Sequence, residues 1–84
     1  MSSTKTDKPT LLIVDDQVLN LQILSHIFQA DHTVRTVTSG QQALDACEQA
    51  LPDLILLDVV MPGMSGHQVC AYLKANPRTR DVPI

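Results

Sequence analysis

Two four-residue apolar runs, each closed by acid, restrict this chain more than any other feature. Leu11-Leu12-Ile13-Val14 leads directly into Asp15-Asp16, and Leu54-Ile55-Leu56-Leu57 leads directly into Asp58. Continuous rather than alternating apolar character marks strands buried on both faces, as parallel strands between helical layers are. In an open α/β sheet the carboxyl ends of such strands form the ligand-binding edge. Three carboxylates at that edge would repel one another unless a cation sat between them, and an all-oxygen donor set suits a hard ion such as Mg²⁺. The pattern therefore predicts a metal-assisted phosphate site built on Asp15, Asp16 and Asp58.

The segments between these strands fill out an alternating order. Residues 1–9 are polar and end at Pro9, which predicts a disordered leader before a first strand over 10–14. A helix follows from Val18, because Val18, Leu21, Leu24, Ile27 and Phe28 recur at three- and four-residue spacing up to Asp31-His32. Residues 33–38 are rich in β-branched side chains, and the admixture of Thr and Arg predicts an edge strand. Ser39 with Gln42 reads as a capping box opening a second helix, which Leu51-Pro52-Asp53 stops. Beyond Asp58, Pro62, Gly63 and Gly66 mark a shaped loop; Ser65 with Gln68 then caps a third helix carrying Val69, Cys70 and Leu73, ended by Asn76-Pro77. Val82-Pro83-Ile84 starts another apolar run. The order β-α-β-α-β-α-β predicts an α/β fold with a parallel sheet and right-handed crossovers. A last strand of three residues reads as the opening part of a larger domain, whose open edge a dimer partner or a swapped segment would cover.

Composition removes several classes of function. Eighty-four residues hold one small domain. The net charge of −3 and the lack of any Lys/Arg-rich run argue against direct contact with nucleic acid. No apolar stretch is long enough for a membrane span or a signal-peptide core, so a cytoplasmic location is expected. Cys47 and Cys70 form no C-x-x-C pair and fall on apolar helix faces, which reads as two buried, inert thiols. Met61 and Met64 read as loop anchors. Asp53 reads as a solvated strand cap, the scattered His26, His32 and His67 as surface residues, and Arg78, Arg80 and Asp81 as a solvated linker.

The stretches Leu12-Ile13-Val14-Asp15-Asp16, Pro52-Asp53-Leu54-Ile55-Leu56-Leu57-Asp58 and Met61-Pro62-Gly63-Met64-Ser65-Gly66 occur in an order and spacing that resembles the receiver domain of two-component response regulators. The likeness runs from about residue 10 to Ile84. It implies a flavodoxin-like, doubly wound parallel sheet, of order 2-1-3-4-5 when complete, with the three aspartates at its switch point. It further implies that Asp58 is the phosphoacceptor for a sensor histidine kinase or phosphotransfer protein. Asp16 would then ligate Mg²⁺ directly, Asp15 mainly through water, and the backbone carbonyl of Val60 would add an oxygen. The side chains of Gln17 and Val60 would flank the pocket. The resemblance places a switch Ser or Thr, a phosphate-binding Lys and the output domain beyond Ile84. Such a domain takes phosphate on itself and is not an independent turnover enzyme. Ser65 stands where the family often has an acid.

Two other functions fit a nucleophilic Asp after a buried strand. An aspartyl phosphatase of the haloacid dehalogenase type needs a second acid two residues later, where this chain has Val60, which cannot transfer protons. A degenerate receiver-like interaction module would have lost an acid from the site, and all three are present.

Overall fold

A computed structural model describes residues 8–84. Within it the elements run β1 (Thr10–Val14), α1 (Val18–Phe28), β2 (Thr33–Val37), α2 (Gly40–Gln49), β3 (Leu54–Leu57) and α3 (Gly66–Ala75). The expected leader lies outside the described residues as far as residue 7. From Pro9 the chain is already tied to the sheet, because its carbonyl accepts the Thr33 N–H at 2.9 Å.

The sheet is parallel with order β2-β1-β3. Thr10 to Val14 of β1 face Thr33 to Val37 on one side, and Leu11 to Val14 face Leu54 to Leu57 on the other. The first crossover steps from β1 to β2, and the second returns past β1 to β3. Crossovers of one hand that travel in opposite directions must lie on opposite faces of the sheet. The packing agrees. Leu11 and Ile13 meet Leu21, Leu24 and Phe28 of α1, whereas Leu12, Val14 and Ile55 meet Ala43, Ala46 and Cys47 of α2 and Val69 and Leu73 of α3. The unbroken apolar run of β1 is thus used on both faces.

β3 departs from the expectation of full burial. Ile55 is enclosed beneath α2 and α3, but Leu54 and Leu56 are 37% and 40% exposed. These two lie on the face of Leu11 and Ile13, where α1 packs against β1 and β2, and they are left only partly covered. The same geometry leaves Val18 and Ile27 of α1 exposed, although their spacing had placed them on the buried stripe. The run that begins at Val82 contributes one sheet bond, from the Ile55 N–H to the Pro83 carbonyl at 2.9 Å, rather than a ladder.

The helix termini show how local chemistry sets these boundaries. Ser65 and Gln68 form the full reciprocal box, with the Gln68 N–H on Ser65 Oγ at 3.2 Å and the Ser65 N–H on Gln68 Oε1 at 2.8 Å. Ser39 Oγ likewise accepts the Gln42 N–H, but Gln42 Oε1 reaches back one residue further, to the Thr38 N–H and hydroxyl. Arg35 on β2 donates to the carbonyls of Ala46 and Ala50, both at 3.1 Å, and so caps the negative end of α2. Thr79, inside the supposed linker, is buried with its hydroxyl donating to the Leu73 carbonyl. Lys74 holds the carbonyls of Arg80 and Val82. Among the described residues no helix is long and apolar enough to cross a membrane.

Cys47 is buried, as expected, but Cys70 is only half-buried because it lies beside the uncovered edge of β3. Desolvation pushes the Cys47 thiol above its usual range, more than the nearby Arg35 charge lowers it.

Two tests follow from this packing. Arg35→Met should lower unfolding stability by about 1–2 kcal/mol in a denaturant titration, through loss of two charge-assisted bonds at a half-buried site, with no change in fold by circular dichroism. For the thiols, iodoacetamide at about pH 8 should label Cys70 well before Cys47, read by peptide mass spectrometry. The raised folded-state value of Cys47 also means that its contribution to stability is intact below the unfolded value of about 8.5 and is lost as pH rises through the folded value. Cys47→Val should remove that alkaline loss.

Candidate functional site

The order reversal around β1 opens a crevice at the carboxyl ends of β1 and β3, because α1 leaves one face of the sheet and α3 follows β3 on the other. Both acidic strand ends remain anchored in the sheet. The Asp15 N–H donates to the Val37 carbonyl at 3.2 Å, and the Asp58 N–H donates to the Val14 carbonyl at 2.9 Å. The aspartates are therefore held by main-chain bonds just past the last paired residues, Val14 with Val37 and with Leu57.

A carboxylate oxygen from each of Asp15, Asp16 and Asp58 lies within 4.8 Å of the others. At that separation two unit charges repel by roughly 1–3 kcal/mol between the dielectric of water and that of a protein surface. A dication relieves that repulsion, and the all-oxygen donor set fits Mg²⁺.

The three acids do not have equal freedom. Asp15 is buried, at 8% exposure, and both of its oxygens are occupied: Oδ1 accepts the Gln17 N–H at 2.9 Å and Oδ2 accepts Asn20 Nδ2–H at 3.2 Å. Gln17 is the N-cap of α1 and makes no side-chain cap bond, so the Asp15 carboxylate performs the capping from two residues upstream. The first turn of α1 contains no acid of its own, and Asp15 with Asp16 supplies the negative charge its dipole favours. The Asp16 carboxylate, half-buried beside it, has no protein donor among the described residues. Asp58 accepts the Val60 N–H on Oδ1 at 3.3 Å, which folds the loop after β3 back over the strand end.

That loop is pinned by two close approaches. The Gly66 N–H donates to the Val59 carbonyl at 2.9 Å. A Cβ at residue 66 would collide with the Asp58 carbonyl oxygen and stand 2.7 Å from Val59 Cα, so only glycine lets α3 begin against the strand end. Gly63, at φ 76°, makes the left-handed turn between them. Met61 is buried and Met64 half-buried in the core shared by α2 and α3, in keeping with their reading as anchors. Val60 is 79% exposed and Val59 about half, which gives the site an apolar rim; the Gln17 side chain is also exposed.

The predicted acids are thus brought together, whereas Lys74 is engaged beyond the far end of α3 and the three histidines lie outside the acidic group. His32 instead bonds the Phe28 carbonyl at the end of α1. Asp53 does more than cap in solvent: its carboxylate accepts the Thr10 N–H at 2.7 Å and starts β1. Asn20 was legible only as part of a polar helix face. Its position in the first turn of α1, five residues after Asp15, is the signal that places its amide over that carboxylate.

Comparison with known proteins agrees with this arrangement. The family model described as the response regulator receiver domain matches residues 11–84. The response regulator PleD of Caulobacter vibrioides is 44% identical over 75 residues, covering 88% of this chain and 16% of PleD. A probable cyclic di-GMP phosphodiesterase of Vibrio cholerae is 38% identical over 84 residues, covering 100% of this chain and 19% of that protein. The chain therefore spans under a fifth of the length of either relative. Among solved structures, the receiver domain of a sensor histidine kinase from Pseudomonas aeruginosa, with a magnesium ion coordinated in its active site cleft, superposes with a TM-score of 0.87 at 26% identity, covering 93% of this chain and 65% of that one. With the family model matched across nearly all of its length, and with a CheY-like fold in register, the chain belongs to the response regulator receiver domains.

Proposed function

We propose that Asp58 is the phosphoacceptor of this domain, taking a phosphoryl group from a phosphohistidine on a sensor histidine kinase or phosphotransfer protein in the cytoplasm, and that the modified domain signals to an output domain or partner. The observation that carries this reading is the convergence of the Asp15, Asp16 and Asp58 carboxylates within 4.8 Å at the switch point of a receiver fold. An Asp58 oxygen forms the new P–O bond as the P–N bond breaks, and the leaving imidazole nitrogen keeps that electron pair and takes a proton from solvent. Asp16, Asp58 and the Val60 carbonyl would hold Mg²⁺, with Asp15 contributing through water. When bound, the ion offsets the charge gathered on the phosphoryl group. Mg²⁺ in the cleft of the Pseudomonas receiver supports that assignment.

The chain's own groups do the rest. The Val60 N–H orients Asp58 from one oxygen, leaving the other as nucleophile. The exposed side chains of Val60 and Gln17 flank the approach and control how readily water reaches the acyl phosphate. The relative named for cyclic di-GMP makes a cyclic-dinucleotide enzyme the output class to test first.

Acetyl phosphate with Mg²⁺ should load the full-length protein with one hydroxylamine-labile phosphoryl group per chain, and Asp58→Asn should abolish this while keeping the fold. Loading of that variant at the parent rate would exclude Asp58. By titration, Asp16→Asn should weaken Mg²⁺ binding more than Asp15→Asn does, since the Asp15 oxygens are already engaged. Gly66→Ala should slow phosphorylation at least 10-fold, because the Asp58 carbonyl must move to admit the methyl group and a displacement of about 1 Å misaligns the nucleophile.

A further inference from the structure

We propose that Asn20 is a positioning residue for this chemistry, acting on the metal site through Asp15; the inference rests on the phosphoacceptor reading. Asp15 carries its charge in the most enclosed position of the acidic group, beside two like charges with oxygens within 4.8 Å. Repulsion of that size favours any rotation that swings the carboxylate away. One oxygen is held by the Gln17 N–H, which alone leaves the group free to pivot about that bond. The Asn20 amide takes the second oxygen at 3.2 Å and removes the pivot. An acid whose two oxygens both have donors is fixed in place before any ion arrives. It therefore presents its charge and its remaining lone pairs at a set distance, and leaves direct ligation to Asp16.

The residue type matters. Asn20 lies three residues after the N-cap Gln17, where a capping-box side chain would accept the N-cap N–H. That N–H is already taken by Asp15, so the position serves instead as a donor aimed at the carboxylate. An acid there would add a fourth like charge, and an aliphatic residue would leave Asp15 half-held. An amide is neutral and can donate.

A double-mutant cycle on the full-length protein, read as Mg²⁺ affinity by calorimetric titration, tests this. Asn20→Ala should weaken Mg²⁺ about five-fold, the scale of one net hydrogen bond. Asn20→Leu, which keeps bulk but cannot donate, should match it. In an Asp15→Asn background, Asn20→Ala should change the affinity by less than about 1.5-fold, because its target charge is gone. If Asn20 only stabilised the helix, its replacement would instead lower the metal-free melting temperature and leave Mg²⁺ affinity alone. Unchanged affinity in both Asn20 variants, or an equal five-fold loss in the Asp15→Asn background, overturns the inference while leaving the phosphoacceptor reading intact. Failure of the folded parent protein to bind Mg²⁺ would overturn both.

Discussion

Strand β1 is hydrogen-bonded along both edges and covered on both faces, and the rest of the molecule is arranged by that condition. A doubly buried strand needs apolar residues at consecutive positions, which Leu11 to Val14 provide, all at 1% exposure or less. It also needs crossovers that leave in opposite directions, which sends α1 to one face and α2 with α3 to the other. The carboxyl end of β1 then emerges where no helix can pack across it. Asp15 and Asp16 are tolerable there because the strand ends at that crevice. One residue earlier, an unpaired carboxylate would sit inside the core at a cost of several kcal/mol.

The same condition explains what could and could not be read from residues alone. The alternation of elements and the acid-closed strands were legible because buried parallel strands and strand-end acids carry an unambiguous pattern, and the three aspartates meet as that pattern requires. Leu54 and Leu56 misled because hydropathy records what a position tolerates rather than which neighbour covers it. Among the described residues, the face of β3 that carries Leu54 and Leu56 is only partly covered. Val18 and Ile27 misled for the same reason. Ser39 and Gln42 show a finer limit: the box spacing was present, yet Thr38 offered two donors to the Gln42 carbonyl and took it from Ser39. Thr79 was indistinguishable from a solvated linker residue because its partner, the Leu73 carbonyl, is a backbone group created by the end of α3.

Long polar side chains here act largely on helix ends. Arg35 closes α2, Lys74 ties the segment after α3, and Asn20 shares Asp15 with the start of α1. Orphan backbone groups at helix termini must find partners, and in a small domain those partners come from neighbouring strands and turns. The acidic site inherits its order from this requirement. Asp15 is at once a helix cap and a member of the acidic group, so the geometry of the site is set by the start of α1 as much as by the end of β1.

Asp58 is tied to the fold in a complementary way. Its N–H belongs to the sheet, its side chain accepts from Val60, and its carbonyl packs so closely on residue 66 that a Cβ cannot be accommodated. Between those points the loop drops Met61 into the core shared by α2 and α3 and turns at Gly63. The loop thus has one end fixed to β3 and the other fixed to the capping box of α3, with a buried anchor between. A segment held at three places cannot relax one of them independently, since close-packed cores yield in discrete steps rather than by smooth deformation. Any change in charge at Asp58 that alters the hold of the Val60 N–H must therefore be taken up by Val59, by Met61, or by the first turn of α3, and the position of the nucleophile cannot be separated from the packing of the helix that follows it.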